Sequence, residues 1–504
     1  MGVAIEYGKN AYEYLSSQRK RYGDVFTLLV AGKRMTFVLD PINVPLMFKG
    51  CKQLDFAPVA HEISAPTFDH PDFFDNKHLD DALHKLYVSK LQGASLVTLS
   101  ERMHSKVYEF LFERGYVTPK SQQPASPKEG EEIWREGDLY QFVSECIFSA
   151  GTQTIFGDGF CSPQQLEALK NFIAFDSRFP LLVAGLPPFL LPKVGPARSF
   201  LRRLVKLRFP RESEIVECRR ELFDQNGTEE ALRLGLQVAL LWASQGNTIP
   251  AAFWALAYII SDPAAQNAIR EEYRRVAGSA LGAPASELDL LDGEGKLRLD
   301  AALLRQLPVL DSAINESLRL CSSSIVIRRV MEDFTLLLAS TDSRNKNASS
   351  SAHADESKEG TATPVTLRKY LLRKGDNVCL FPEIIHRDPE IYDNPNHYQF
   401  DRFVPRPHHA ASSTPKFFKR GHELKYPLLP FGGGVSHCPG RLFAFNEIRL
   451  LVLLVLNHLR VRLLPSPADE PGGPARMPPT DPARVGLGIL SPIAPLRFAY
   501  CQLR

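Results

Sequence analysis

The chain has 504 residues, of which 44% are hydrophobic and 23% charged, and its formal charge is +3. That composition suits a globular enzyme with a large core, and near-neutrality excludes the concentrated basic surface that a nucleic-acid protein needs. The eight cysteines (Cys51, Cys146, Cys161, Cys218, Cys321, Cys379, Cys438 and Cys501) form no CxxC pair, so neither a zinc site nor a redox dithiol is signalled, and their scatter suits a reducing compartment.

The opening MGVAIEYGKNAYEYL reads as neither a signal peptide nor a membrane span, which needs about 20 apolar residues. Residues 26–39, FTLLVAGKRMTFVL, predict a β-hairpin: two β-prone runs flank Ala-Gly-Lys. Apolar residues at three- and four-residue spacing predict a helix over 83–114. Residues 118–131, TPKSQQPASPKEGE, are a polar loop inside a surface insertion near 118–135. From about 139 to 460 most segments read as helical. Further surface insertions are expected at 339–364, 405–416 and 465–484, whose Ser-, charge- or Pro-rich compositions cannot bury enough apolar area to order them. Length alone predicts about three domains. The insertions interrupt elements without separating cores, so one domain spanning 1–504 is expected instead.

Residues 179–192, FPLLVAGLPPFLLP, are apolar but broken by prolines and a glycine, so they cannot span a membrane as a helix. Just after them comes RSFLRRLVKLRFPR (198–211), which is basic and amphipathic. Together they are expected to dip into a membrane surface, with the cations at the headgroups. A buried loop beside a solvated basic helix is the plainer reading.

Residues 240–254, LLWASQGNTIPAAFW, predict a helix with an internal proline. Pro250 cannot donate to the Gly246 carbonyl and its ring crowds that oxygen, so a bend is expected there. Ser244, Gln245, Asn247 and Thr248 cluster at the bend in an otherwise apolar stretch. Freed carbonyls and hydroxyls can hold oxygen, water or a proton chain; a simple packing kink stays open. Further on, ESLR puts Glu316 and Arg319 on one helix face, and Arg402 of FDRF is available to join them in a buried network.

The stretch PFGGGVSHCPGRLFAFNEI (430–448) has the spacing F-x-x-G-x-x-x-C-x-G through Phe431, Gly434, Cys438 and Gly440. Gly432 to Gly434 permit positive φ and let the backbone approach a ligand closely. Gly440 leaves room beside the thiol. The apolar run after it predicts a buried helix. Cys438 then sits at a helix N-terminus, where the free amides are expected to lower its pKa. A thiolate on a ledge stripped of side chains is what axial ligation of haem iron requires. A buried structural cysteine stays open on these residues. A hydrolase nucleophile paired with His437 stays open too, although chain neighbours rarely make a productive pair.

In this order, the polar bend, Glu316-x-x-Arg319, FDRF and the cysteine loop make the chain resemble a cytochrome P-450, a haem-thiolate oxygenase, from about residue 7 to the C-terminus. The resemblance implies a mainly α fold with small β-sheets in a single cytochrome P450 domain, carrying haem b (iron protoporphyrin IX). Within the superfamily, WASQGNTIPAAFW is similar to the clan of sterol 7α-hydroxylases, sterol 12α-hydroxylases and prostacyclin synthase. FPLLVAGLPP, LPVLDSAINESLRL, FFKRGHELKY and VGLGILSP resemble the cholesterol and oxysterol 7α-hydroxylases.

By that resemblance Cys438 is the axial ligand and Phe431 lies against the haem near the sulfur, with Gly432 and Gly440 also at the cofactor. Glu316, Arg319 and Arg402 form the structural network behind it, and Arg328 meets a haem propionate. Asn247 and Thr248 guide protons, and Trp242, Ala243, Ser323, Ile325 and Leu487 line the substrate pocket. Two departures stand out: Ser436 occupies a usually basic position, and Gly246 and Asn247 replace the usual acid–threonine pair. The resemblance implies a monooxygenase that hydroxylates an apolar, sterol-like lipid, fed by NADPH–cytochrome P450 reductase at the cytosolic face of the endoplasmic reticulum membrane. Two alternatives are an isomerase of a lipid endoperoxide, of the prostacyclin synthase kind, and a non-catalytic haem-binding protein.

Overall fold

The computed structural model describes residues 2–30, 32–49, 52–113, 133–160, 165–281, 297, 299–300, 302–340, 365–405, 415–434, 437–466 and 473–503. The bulk of the insertions expected near 118–135, 339–364 and 405–416 lies outside these residues, as does Ser436.

Long helices make the centre. The helix Leu139–Phe156 starts on Asp138, whose side chain accepts from the Gln141 amide at 2.8 Å, and stops at Gly157, where φ is +115°. Nearly every side chain between is buried. The helices Thr248–Ser261, Pro308–Cys321 and Arg441–His458 pack into the same core. As the sequence predicts, Arg441–His458 is buried on almost every side, with Leu450 to Leu456 all inside. Each such side chain is worth about 1.5–3 kcal/mol when fully buried. Trp254 fills the middle of this core, and its Nε1 donates to the Leu490 carbonyl at 2.7 Å.

The predicted hairpin is present as Val25–Val30 paired antiparallel with Lys33–Val38. It forms the edge of a five-stranded sheet that continues through Asn377–Leu380, Val326–Val330 and Leu54–Asp55. Smaller sheets pair Leu487–Ile489 with Ser322–Ser324 and join Leu459–Leu463, Arg497–Gln502 and Arg135–Asp138. The architecture is therefore mainly α with small separate sheets, as expected.

Three expectations about elements change. The helix expected over 83–114 is two helices, Lys77–Lys90 and Gly93–Tyr108, followed by a π-helical turn at Glu109–Glu113. The break falls where Gln92 is extended and Gly93 takes φ +57°. Both helices bury a face, so the apolar spacing runs on across the break. Helix also does not dominate to residue 460. It gives way at Ser322 to strands such as VIRRV and NVCL, short buried runs whose periodicity does not distinguish them from helix. Finally, the span 465–484 is not all surface insertion: it ends in the turn Pro482–Arg484, and Arg484 is buried.

Truncating Trp254 to alanine removes its hydrogen bond and leaves a cavity in the helical core. The expected cost is about 3–5 kcal/mol, read as a shift in the chemical denaturation midpoint.

Candidate active site

The loop before Arg441–His458 is closed by its own backbone. The Cys438 amide donates to the Phe431 carbonyl at 3.0 Å, and the Gly432 amide to the Leu429 carbonyl at 3.3 Å. Gly432 and Gly434 have φ of +68° and +59°, the positive values the sequence anticipates. The glycines also answer to a neighbour that the sequence does not reveal. A Cβ on Gly434 would stand 2.5 Å from the Phe48 Cβ, and one on Gly433 would stand 2.7 Å from the Phe48 ring. At Gly440 a Cβ would meet nothing nearer than the Cys438 sulfur at 3.9 Å. The space beside the thiol is open.

That space is a cavity of about 530 Å³, within the usual range of small-molecule sites. Cys438, Phe431, Gly432 and Gly440 line it, as does Arg328. Phe443, Ala444 and Ile448, from the helix that follows the cysteine, give it an apolar wall. The amides of Gly440 and Arg441 point at the sulfur and lower its pKa, while the protein around it acts the other way and raises it above the ordinary value, although the side chain itself is open to the cavity. The expected lowering by the helix N-terminus is thus present in these amides, and desolvation by the surrounding protein opposes it. A bound metal cation reverses this balance by deprotonating the sulfur it coordinates. A lone thiol, a glycine ledge, apolar walls and a buried arginine at the same cavity fit an iron porphyrin.

The network behind this wall has the predicted members. Glu316 and Arg319 are entirely buried and paired side-on, Nε to Oε2 and Nη2 to Oε1, both at 2.8 Å. Arg402 donates its Nε to Glu316 Oε1 at 3.0 Å, and the Gln399 amide reaches the same oxygen at 3.1 Å. Both guanidiniums also lie over the Tyr392 ring. Arg319 continues to the carbonyls of Pro395 and His386. The His386 ring is a link the sequence reading missed. Its Nε2 accepts from the Leu429 amide at 3.0 Å, joining the network to the cysteine loop. Burial, with Arg319 and Arg387 nearby, lowers its pKa to about 3.

On the oxygen side, the expected bend is a break. One helix, Glu230–Gln245, ends and another, Thr248–Ser261, begins, with Pro250 in its first turn. The Gly246 carbonyl that Pro250 cannot satisfy accepts from Arg484 Nη2 at 2.9 Å. Asn247 Oδ1 accepts from the Ile489 amide at 3.0 Å. Asn247 and Thr248 line the cavity that Cys438 lines.

Of the proposed substrate-pocket residues, Ala243, Ile325 and Leu487 line the cavity. Trp242 and Ser323 do not. Trp242 turns away from it, stacks on Phe179 with ring centroids 3.7 Å apart, and donates to Asp176. Ser323 is wholly buried in the strand Ser322–Ser324, and Ser324 is the strand's contribution to the cavity wall, since alternate strand residues face opposite sides. Sequence reasoning also missed Glu447, a wholly buried cavity-lining carboxyl that burial pushes well up, and Arg484. A lone arginine directly before the apolar run VGLGIL was the available signal for Arg484.

A thiol on a glycine ledge, backed by a buried Glu–Arg–Arg network and facing a broken helix, defines a haem-thiolate protein. The cytochrome P450 family profile matches residues 1–337 and 358–483. Cholesterol 7-alpha-monooxygenase of Cricetulus griseus is 33% identical over 99% of this chain and 91% of its own length. 7-alpha-hydroxycholest-4-en-3-one 12-alpha-hydroxylase of Homo sapiens is 30% identical over 99% and 90%, and cytochrome P450 7B1 of Mus musculus 30% over 99% and 88%. The chain belongs to the cytochrome P450 family. It is a monooxygenase of that family, with a haem-iron cofactor and a redox partner as its electron source.

Replacing Glu316 by alanine leaves two buried guanidiniums without their carboxylate. The expected loss is about 3–5 kcal/mol, with haem content after purification well below wild type. His386 makes a separate prediction. Its folded pKa is depressed, so the unfolded chain binds the extra proton first, and stability falls as pH drops from about 6.5 toward about 3. In His386→Gln this acid limb is shallower by up to about 1.4 kcal/mol per pH unit, measured by urea denaturation across that range.

Proposed function

We infer that this protein is a single-domain haem b monooxygenase that hydroxylates a sterol-like lipid, taking electrons from NADPH–cytochrome P450 reductase at the cytosolic face of the endoplasmic reticulum. The observation that carries the reading is that the Cys438 thiol and the Asn247–Thr248 break line one largely apolar cavity. The names of the relatives given above supply the substrate class.

Bound haem supplies dioxygen activation. Cys438 is the residue to hold its iron, Phe431, Gly432 and Gly440 give it a flat seat, and Arg328 pairs with one of its carboxylates. Arg328 is buried on the strand Val326–Val330 at the cavity wall, where a porphyrin carboxylate would offset its charge. Ala243, Ile325 and Leu487 offer a rigid apolar ring system only shape and desolvation, which suits a sterol. Thr248 carries a hydroxyl at the break and Asn247 an amide already fixed through its oxygen, so Thr248 is the mobile proton donor of the two.

The membrane reading draws support from the segment 179–192. Phe189 is 82% and Leu190 58% exposed on a short turn, and Arg203, Lys206 and Arg208 stand exposed on the neighbouring basic stretch. Arg198 and Arg202 are turned inward onto the carbonyls of residues 66–69, so they are not available to headgroups. Among the described residues no helix is long and apolar enough to cross a membrane. The contact is therefore one of insertion into the interface.

The test is a spectral screen of the ferric protein with a sterol and oxysterol panel, followed by turnover with reductase and NADPH. Binding spectra with at least one sterol, and NADPH-dependent hydroxylation of it, are expected. Rearrangement of a lipid endoperoxide without NADPH, with no sterol oxidised, would overturn the reading. In Cys438→Ser, the thiolate-type spectrum of the reduced carbon-monoxide complex is expected to vanish.

A further inference from the structure

Asp176 stands at the end of the helix Gln165–Asp176, which packs against the basic helix Val194–Lys206. Each of its carboxylate oxygens is held by a different element. Oδ1 accepts from Trp242 Nε1 at 2.8 Å, on the helix that leads into the break. Oδ2 accepts from Arg484 Nη1 at 2.6 Å. The same guanidinium gives Nη2 to the Gly246 carbonyl at 2.9 Å. A few residues along, the Ile489 amide holds Asn247 Oδ1 at 3.0 Å. Trp242 is further clamped by stacking on Phe179, with the rings 8° from parallel. Arg484 is 3% exposed and Asp176 16%.

An ion pair this buried is held only while its geometry is complete, because desolvation costs several kcal/mol per charge. Partial loosening is therefore disfavoured, and the pair is either closed or open to water. The carbonyl it caps is the one Pro250 leaves without an amide partner. An exposed carbonyl at that position would bind water beside Asn247 and Thr248.

We propose that Asp176 and Arg484 form a positioning latch. Through one carboxylate, the seating of the helix Gln165–Asp176 fixes the Gly246–Asn247 turn at the oxygen side of the cavity. Arg484 and Asp176 line no part of the cavity and are positioning residues, not catalytic ones. Displacing this helix would take the carboxylate from Arg484 and with it the hold on the Gly246 carbonyl. When it seats again, the turn is restored. This assignment rests on the reading of the cavity as the haem and substrate site.

The test uses Asp176→Asn, which keeps an acceptor for Trp242 but removes the charge, and Arg484→Lys, which keeps a charge but cannot reach both partners. Hydrogen–deuterium exchange is followed on the haem-loaded protein. Each variant is read where it is not mutated: Asp176→Asn at residues 246–249 and 485–490, Arg484→Lys at residues 165–175 and 177–184. At least fivefold faster exchange is expected at these remote segments in both. Imidazole binding to the ferric iron, followed by its spectral shift, is expected to quicken at least threefold, with Asp176→Glu returning toward the wild-type rate. Acceleration confined to the neighbourhood of each substitution, with wild-type imidazole kinetics, would overturn the latch. If Arg484→Lys fails to fold, Asp176→Asn alone decides. Neither measurement uses sterol, reductase or NADPH, so failure of the monooxygenase reading and failure of the latch give different results.

Discussion

One carboxylate, that of Glu316, sets the position of everything on the cysteine side. It has no exposure, and two guanidiniums and a backbone amide converge on it. A buried ion group of this kind contributes little net stability against an apolar replacement, but it is intolerant of losing a member. That intolerance is useful here. Arg319 is held on the Pro308–Cys321 helix, reaches the His386 carbonyl, and the His386 ring accepts from Leu429 just before the glycine ledge. The loop that must present a sulfur at one height is thus tied, through directional bonds, to the buried helix Pro308–Cys321. Apolar contacts alone would permit the small slides that hydrogen bonds do not.

The oxygen side is built on an opposite device, a missing bond. Pro250 removes one amide from the helical ladder, and the chain responds by ending one helix and starting another. Such a break in a buried helix leaves polar backbone that has to be satisfied from elsewhere. Arg484, from the C-terminal part of the chain, does so at the Gly246 carbonyl, and the Ile489 amide holds the Asn247 side chain beside it. Among the polar groups that the break itself brings to the cavity are Asn247, fixed through its oxygen, and the hydroxyl of Thr248. The thiol wall and the oxygen wall are therefore rigid for different reasons, one through an ion network and the other through capping of a helix break.

Much of the site was legible because its residues obey local rules. A glycine-rich turn before an apolar run places a cysteine at a helix start, i and i+3 spacing brings Glu316 to Arg319, and a proline within a helical pattern marks the break. What was not legible is long-range. Phe48 explains the glycines at 433 and 434 through a contact nearly 400 positions away. His386 and Arg484 act through bonds to backbone, which no side-chain pattern announces. The strands at 326–330 and 377–380 were not singled out, because short buried runs lack a distinguishing period. The amides at a helix start can be counted in a sequence, whereas the desolvation that opposes them at the sulfur cannot.

The displacement of Trp242 from the substrate wall bears on what the motif WASQGNTIPAAFW signifies. Its tryptophan grips Asp176 and Phe179, its Gly246 carbonyl takes Arg484, and its asparagine takes the Ile489 amide. Only Ala243, Ser244, Asn247, Thr248 and Ala251 of this stretch turn to the cavity, and three of those five side chains carry a polar group. Most of the motif's distinctive chemistry is thus spent on holding the break in place. A role in seating the break does not depend on which substrate lies beside it. On the proposed function, discrimination between lipids would fall instead to the apolar residues that border the break, where a misplaced methylene is worth about 1–3 kcal/mol. Ile325, between two strands, and Leu487, on the strand Leu487–Ile489, belong to neither the ion network nor the capped break.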